Sequence, residues 1–164
     1  MTSPGTKDTE PLPTRLRSLA WGLARSIDVR LRPFDRRPCP DFESVKEEGD
    51  YGEEVAAAFL RRNECGVLVR NYKGRWGELD LVVRDADTLV FVEVKSRGPA
   101  SWGRPAEAVE QNKRRRIILT AQAYLQELLV PEPPIRFDIV EVVLETGVLP
   151  KVTWLKAAFI VGER

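Results

Sequence analysis

The sequence predicts an α/β fold with the element order αβββαβ, in which helices flank a central mixed β-sheet. Residues 50–63 and 105–129 repeat apolar side chains with the period of a helix. Between them, three short segments rich in Val, Leu and Phe are separated by turn residues, as in strands joined by hairpins. A fourth apolar segment follows the second helix. These patterns indicate one domain built around a sheet.

Turn and cap residues set the limits of the predicted elements. Gly66 is placed to cap the first helix, and Lys73–Arg75 and Asp85–Thr88 supply the turns between the first three strands. Pro105 suits the first turn of the second helix, and Pro131 begins the proline-rich stretch that stops it. The predicted elements are a helix at 50–63, strands at 67–72, 77–84 and 89–96, a helix at 105–129, a strand at 135–144 and a short strand at 151–155.

The chain is predicted to divide into an N-terminal extension, residues 1–48, and a compact domain, residues 49–164. Residues 1–13 are rich in Pro, Thr and charge, which is typical of a disordered tail, and three prolines indicate a linker at 32–47. Residues 15–31 space apolar side chains at helical intervals with arginines between them. This pattern is typical of a transit peptide, a membrane-surface helix, or a helix packed on the domain or on another protein; the last reading is favoured.

Composition excludes several kinds of site. Because there is no histidine, metal chemistry falls to carboxylates and carbonyls, which favour Mg²⁺, Mn²⁺ or Ca²⁺. Two separated cysteines and the lack of an apolar run of about 18 residues indicate a cytoplasmic protein with no disulfide framework and no membrane association. The net charge is only +1, so nucleic-acid binding would depend on local clusters of basic residues.

The second and third strands carry acids among apolar residues. Alternation places Glu78 and Asp80 on one face of the second strand, and Leu79 and Leu81 on the other. Ionised groups inside an apolar sheet are costly unless they are paired or bind a metal. An acid in this setting therefore indicates a site rather than a solvated surface.

The turn between these strands aligns Asp80 with Glu93. With the hairpin centred between residues 86 and 87, the two side chains are directly opposed, with Cβ atoms about 5 Å apart. Lys95 shares the face of Glu93. Two carboxylates so placed repel each other unless a cation lies between them. Mg²⁺ can be coordinated by one oxygen atom of each carboxylate. The alternative is a hairpin one residue out of register, in which Lys95 neutralises Glu93.

The first helix offers a third acid. Val55 and Phe59 belong to its buried arc, Glu53 lies at the edge of that arc, and Glu54 lies farther round in solvent. Glu53 is therefore the acid expected to reach the site. The alternative for any glutamate in the first turn of a helix is stabilisation by the helix dipole.

The second helix and the loop before it are locally basic. Seven basic residues lie between positions 95 and 116 against two acids, an excess that can hold a phosphate backbone. Lys113 falls within the apolar stripe, so its ammonium must reach solvent, an acid or a phosphate. Arg114–Arg116 fan around the helix, as on an ordinary solvated face. Trp76 and Trp102 are placed to stack on bases, although tryptophan more commonly anchors a core.

The residues discussed so far belong to a longer ordered set of motif residues along the compact domain. The set consists of Gly49, Glu53, Ala56 and Leu60; Asn71; Gly77–Leu81; Phe91–Lys95 with Arg97; Gly103; Lys113; Ala121, Tyr124 and Leu125; and Arg136–Asp138. In this order they resemble the PD-(D/E)xK nuclease superfamily. Over residues 49–160 they are similar to its YraN-like family of largely uncharacterised bacterial proteins, which is itself similar to archaeal Holliday-junction resolvases. The resemblance implies a restriction-endonuclease-like core. It departs from the superfamily at Leu79, where a proline usually precedes the first acid.

The resemblance also implies roles for individual residues. Asp80 and Glu93 would ligate Mg²⁺ or Mn²⁺ together with the Val94 carbonyl, and Glu53 would be an additional ligand, directly or through water. Lys95 would position the attacking water and stabilise negative charge at phosphorus, and Glu78 would support the site. The expected catalytic residues are Glu53, Asp80, Glu93 and Lys95. The expected nucleic-acid contacts are Lys113, Gln111, Arg114, Arg97, Arg75 and Trp102.

The predicted function is a metal-dependent endonuclease for DNA, selective for branched or junction structures. Cutting two strands of a junction needs two facing sites, so a symmetric homodimer is expected for that substrate. One alternative is a nucleic-acid-binding module that keeps the fold without cleavage. Another is a protein-interaction factor that acts through the N-terminal helix. Arg136 and Asp138, on one face of the fourth strand, are interpreted as structural.

Overall fold

The computed structural model describes residues 37–100, 110–128 and 133–159, without the side chains of residues 110 and 111. The predicted tail, the amphipathic helix and most of the predicted linker, as well as Pro105, lie outside these ranges. Along the described chain, the elements are α1 (Val45–Arg62), β1 (Gly66–Gly74), β2 (Gly77–Asp85), β3 (Thr88–Arg97), α2 (Glu110–Glu127), β4 (Ile135–Val143) and β5 (Lys151–Leu155).

The five strands form one mixed sheet in the order β1-β2-β3-β4-β5. β1–β2, β2–β3 and β4–β5 pair antiparallel, whereas β3 and β4 pair parallel. A parallel pair needs a long crossover, and the segment containing α2 supplies it. The predicted α/β architecture with a central mixed sheet is therefore confirmed.

The two helices cover opposite faces of the sheet. The α1 face is aliphatic, and the α2 face is aromatic, with Phe91 and Phe137 stacked at 5.4 Å between ring centroids. No helix in the described ranges is both long and apolar enough to cross a membrane. The buried residues on the α1 face include Val55, Ala56, Ala57, Leu60, Leu81, Val83, Val90, Val92, Val140 and Val142. Those on the α2 face include Leu79, Val82, Leu89, Phe91, Ile117, Ala121, Phe137 and Ile139.

Helix α1 differs from its prediction at both ends. It begins at Val45, five residues before the predicted start, because the Ser44 side chain caps it by accepting a 3.2 Å hydrogen bond from the Glu47 N–H. It ends where Glu64 adopts a left-handed conformation with φ 64°. Gly66, the predicted cap, instead opens β1.

The chain before α1 is tied to the far end of the sheet. The Cys39 N–H donates to the Val148 carbonyl at 2.8 Å, and the Gly147 N–H donates to the Cys39 carbonyl at 2.9 Å. Cys39 and Cys65 are both buried thiols. Part of the predicted linker therefore belongs to the folded unit.

Candidate active site

Strands β2 and β3 have the predicted register but separate at Asp80. Their regular pairing ends at Leu81 and Val92. One step farther along the hairpin, the Val94 N–H donates to Asp80 Oδ2 at 2.8 Å, where a regular ladder would offer a backbone carbonyl. The Asp80 carboxylate therefore occupies the gap between the two strands, opposite the position of Glu93.

The predicted alternation of β2 fails at the same place. Leu79 was expected to share a face with Leu81, but it packs on the α2 face, whereas Leu81 packs on the α1 face. Asn71, level with Asp80 on β1, has a φ of 51°, a left-handed conformation that asparagine tolerates better than most residues. This irregularity rotates the outer part of the hairpin, so that Asp80 lies at a seam that both faces of the sheet can reach.

Glu93 meets Asp80 from β3 and is buried, with 5% of its surface exposed. The two carboxyl groups are close enough for each to affect the pKa of the other. The Lys113 ammonium of α2 forms an ion pair with Glu93 Oε1. Apart from this ion pair, Oε1 has no hydrogen-bond donor among the described residues. The site thus contains a buried carboxylate oxygen that is available to a further cation.

Burial controls the protonation of the pair. It raises the pKa of Glu93 to about 7, and the negative charge of Asp80 adds to the rise, while Lys113 opposes it. Burial also raises the pKa of Asp80, against the opposing effects of the Val94 N–H and Lys113. Glu93 can therefore hold a proton at a pH where an ordinary glutamate is ionised, which relieves the repulsion between the two acids.

Glu53 approaches the same seam from the α1 side. It is half-buried, whereas Glu54 is exposed, as the helical arc predicts. Burial and the charge of Asp80 raise the pKa of Glu53, and a hydrogen bond with the Asn71 side chain opposes the rise. Glu53 of α1 and Asp80 of β2 are therefore close enough to influence each other.

The lysine that forms an ion pair with Glu93 is Lys113. Lys95 lines a small hollow together with Glu93, Lys113 and Arg114, and it is level with Glu141 of β4. Because Lys113 is the cation that most affects the pKa of Glu93, it takes the neutralising role that the sequence offered to Lys95. Lys95 nevertheless lines a hollow together with Glu93, which agrees with the prediction that the two share a face.

An open cleft of about 250 Å³ borders Asp80 and Lys113, the partner of Glu93 in an ion pair. The Lys113 side chain in its wall is 51% exposed, so it reaches solvent while it contacts Glu93. Arg97 is exposed at the end of β3. The cleft is lined by Gly77, Glu78, Asp80, Lys113, Arg116 and Ile117.

Other predicted contacts either do not line the cleft or lie outside the described residues. Arg114 is half-buried, with its guanidinium carbon 5.6 Å from the centre of the Phe159 ring, so it is not part of a fully solvated face. Arg75 lies at the β1–β2 turn beside Trp76. The Gln111 side chain and Trp102 lie outside the described residues.

The arrangement suits a small divalent cation held by oxygen. Within the described ranges, no three acidic or cysteine side chains converge closely enough to hold a metal by themselves. Asp80 and Glu93 supply two carboxylates, and Mg²⁺ commonly uses one or two carboxylates with water and phosphate. In an extended strand the N–H and C=O of one residue face the same neighbour, so the Val94 carbonyl also faces the gap beside Asp80. These three donors fit the predicted metal, with Glu53 outside the immediate group.

The Arg136–Asp138 motif is structural, as interpreted from the sequence. Asp138 is fully buried and accepts hydrogen bonds from Arg136 Nε at 2.8 Å, Trp154 Nε1 at 2.8 Å and the Ala157 N–H at 2.9 Å. Arg136 also donates to Asp85 at 2.8 Å. These bonds join β4 to β5 and to the β2–β3 turn, and they satisfy a charge on the α1 face.

Two supporting residues were missed by the sequence analysis. Asn71 appeared only among the motif residues, although an asparagine within a strand signals an irregular backbone. Glu48 in α1 is 1% exposed and accepts a 2.9 Å hydrogen bond from the Ala100 N–H, which holds the chain that leaves β3. No pattern in the sequence distinguishes Glu48 from an ordinary acid of the first turn.

Comparison with known proteins identifies close relatives. A family model described as "Uncharacterised protein family UPF0102" matches residues 52–142, which include Glu53, Asp80 and Glu93. A UPF0102 protein of Pseudomonas aeruginosa (strain LESB58) is 44% identical over 121 residues, 73% of this chain and 97% of the relative. One of Nocardia farcinica is 48% identical over 111 residues, 68% of this chain and 87% of the relative. One of Solibacter usitatus is 41% identical over 139 residues, 84% of this chain and 97% of the relative.

Proposed function

The chain belongs to the uncharacterised protein family UPF0102, and we propose that it is a metal-dependent endonuclease that hydrolyses phosphodiester bonds in DNA. The observation that supports this proposal is the carboxyl pair of Asp80 and Glu93, held in a buried seam beside an open, partly basic cleft. Like charges are costly there unless a proton or a cation compensates them. Perturbed carboxyl groups in a cleft are typical of active sites.

In this proposal Asp80, Glu93 and the Val94 carbonyl would hold Mg²⁺ or Mn²⁺. Such a metal, when bound, activates a water molecule and neutralises the charge of the phosphate. Asp80 is oriented by the Val94 N–H before any ligand arrives, so its carboxylate is preorganised. Glu53 adds negative charge to the seam and orients water from the α1 side.

Lys113 and Lys95 have separate roles in this proposal. Lys113, half-exposed in the cleft wall, binds the phosphate next to the scissile bond after its ion pair with Glu93 loosens. Lys95, on the face of Glu93, positions the attacking water and stabilises the charge that develops on the phosphate oxygens. We place this activity in the cytoplasm, where the thiols of Cys39 and Cys65 remain reduced.

A second candidate function is binding of nucleic acid without cleavage. One observation favours it: Lys113 already neutralises Glu93 through an ion pair, so the buried charge is partly satisfied without a metal.

Selectivity for branched or junction DNA is also part of the nuclease proposal. Resolution of a four-way junction would require a homodimer, which sedimentation of the protein with and without junction DNA would detect.

Cleavage of end-labelled linear, flapped and four-way DNA, with Mg²⁺, Mn²⁺ or EDTA, tests the proposal. We expect metal-dependent cleavage by the wild type, loss of cleavage in Glu93→Ala, and a decrease of roughly 100-fold or more in Lys95→Ala. Glu54→Ala and Lys151→Ala change exposed residues of the same charge and should cut like the wild type. Equal cleavage by all variants would indicate a contaminant, and binding without cleavage would favour the second candidate.

A further inference from the structure

The turn between β1 and β2 presents a tryptophan to solvent. Pairing of Gly74 with Gly77 leaves Arg75 and Trp76 as a two-residue turn, one residue beyond the predicted position. Trp76 is 46% exposed, so it is not the core anchor that is the commoner role of tryptophan. Its indole is therefore accessible to a binding partner.

The hairpin that carries Trp76 is fixed to α2. A Cβ on Gly74 would lie 2.8 Å from Thr120 Cγ2, so backbone and helix approach as closely as a glycine allows. The Tyr72 and Tyr124 rings meet edge to face at 5.0 Å. Tyr72 also donates a 2.9 Å hydrogen bond to Glu127, near the end of α2. An aromatic ring on such a support binds a partner with little loss of conformational entropy.

Trp76 also stands at the rim of the cleft. Gly77, the next residue, lines the cleft, and its Cα hydrogen faces Arg116, since a Cβ there would be 3.7 Å from Arg116 Cβ. Asp80 follows Trp76 by four residues along β2, a distance of roughly 13 Å for a strand. That distance equals about four nucleotides at the stacked spacing of one strand.

The ring is already engaged by a cation on one side. The Arg75 guanidinium carbon lies 5.1 Å from the centre of the Trp76 ring. A nucleobase can stack on the remaining face of the ring. Stacking of this kind requires a base whose own face is open, which an intact duplex does not offer away from its ends.

We infer that Trp76, braced by Arg75, is a stacking site for an unpaired nucleobase of the strand that enters the cleft. The inference rests on the proposed function and narrows its substrate class. The substrate is DNA with a single-stranded segment within about four nucleotides of the scissile phosphate, rather than continuous duplex.

Fluorescence anisotropy in EDTA tests the inference without cleavage. The probes are a labelled blunt duplex and the same duplex with a short unpaired tail. Wild type should bind the tailed probe more tightly, and Trp76→Ala should weaken that binding roughly 5- to 150-fold, as expected for one stacked base. Trp76→Phe should retain most of the affinity because a ring remains. Leu149→Ala, which alters an exposed apolar residue elsewhere, should bind like the wild type.

Each failure has a different signature. If Trp76→Ala weakened binding of both probes equally, or if Trp76→Phe bound as weakly as Trp76→Ala, the stacking site would be refuted. If the tail preference depended on Trp76 while no protein cut DNA with Mg²⁺ or Mn²⁺, the nuclease proposal would fail and the stacking site would stand. If wild type and Trp76→Ala both cut blunt duplex and tailed DNA equally well, the stacking site would be refuted and the nuclease proposal would stand.

Discussion

Asp80 and Glu93 are close together in a setting that disfavours two negative charges. The Val94 N–H supports the Asp80 carboxylate, and Lys113 supports Glu93, yet burial still raises the pKa of Glu93 to about 7. Of the two acids, Asp80 has the fixed hydrogen bond from the backbone, whereas the buried Oε1 of Glu93 has only the ion pair with Lys113 among the described residues. Glu93 is therefore the residue at which a proton and a cation compete.

The titration of Glu93 should be visible in the stability of the protein. Because its pKa is raised from 4.5 to about 7 in the folded state, the folded protein binds more protons than the unfolded chain between these values. The contribution of Glu93 to the free energy of unfolding is therefore full below pH 4.5 and is lost as the pH rises through about 7. The loss is about 3 kcal/mol. Urea denaturation of wild type and Glu93→Gln at pH 5 and pH 8 in EDTA measures it.

Glu54→Gln is the matched control because it removes an exposed acid of the same type. Its stability should follow the wild type at both pH values, whereas Glu93→Gln should lack the decrease. Parallel pH profiles for wild type and Glu93→Gln would show that Glu93 titrates normally and that the burial argument is wrong.

The sequence predicted the opposition of Asp80 and Glu93 because a short turn fixes the register of a hairpin. It did not predict the partner of Glu93. Lys113 reaches Glu93 only after α2 has packed on the sheet at one rotation, which Ile117 and other buried residues decide. Periodicity identifies the buried stripe of a helix but not the strand residue opposite each of its members.

Helix α1 holds Glu53 through an unusually close contact with β3. Gly52 lies against Ser96, where an added Cβ would come within 2.5 Å of Ser96 Cβ. Gly49, one turn earlier, has open space around it. Gly52→Ala should therefore destabilise the protein by about 1–3 kcal/mol through overpacking. Gly49→Ala should stabilise it by about 0.5–1 kcal/mol, because alanine favours helix. Thermal and urea denaturation measure both values.

The pair of variants separates packing from helix propensity, since both replace a glycine of α1 with alanine. The idea that α1 rests directly on β3 would be abandoned if Gly52→Ala were as stable as Gly49→Ala. Because Glu53 follows Gly52, Gly52→Ala should also show a smaller metal-dependent rise in melting temperature than Gly49→Ala.

The elements themselves were largely predictable, and their irregularities were not. Every predicted strand is present within a few residues, since apolar segments between turns are a strong signal. The start of α1 was placed too late because Gly49 and Asp50 disfavour helix locally, whereas the Ser44 cap and burial of Glu48 determine the observed start. The change of face near Asp80 depends on the left-handed backbone of Asn71, which strict alternation does not anticipate.

The molecule as a whole brings together groups from α1, β2, β3 and α2. Helices on opposite faces of one sheet would normally be isolated from each other by the sheet. Here the separation of β2 from β3 opens a seam through which Glu53, on the α1 side, influences Asp80, while Lys113 reaches the same acids from α2. A cation bound in the seam would cross-link elements that are distant in sequence, so it should stabilise the entire fold.

Metal binding should therefore raise the melting temperature through linkage. A ligand that binds only the folded state at ten times its Kd adds about 1.4 kcal/mol, which corresponds to roughly 3–6 °C for a domain of this size. Titration of the full chain with Mg²⁺ or Mn²⁺ in calorimetry should give this shift for wild type and for Glu54→Gln. Asp80→Asn should abolish it, because a ligand is lost while the size of the side chain is kept. Glu53→Gln should reduce it less, since Glu53 lies outside the immediate donor group. An equal shift in wild type and Asp80→Asn would place the stabilising metal elsewhere and would remove the main support for metal-dependent hydrolysis at this seam.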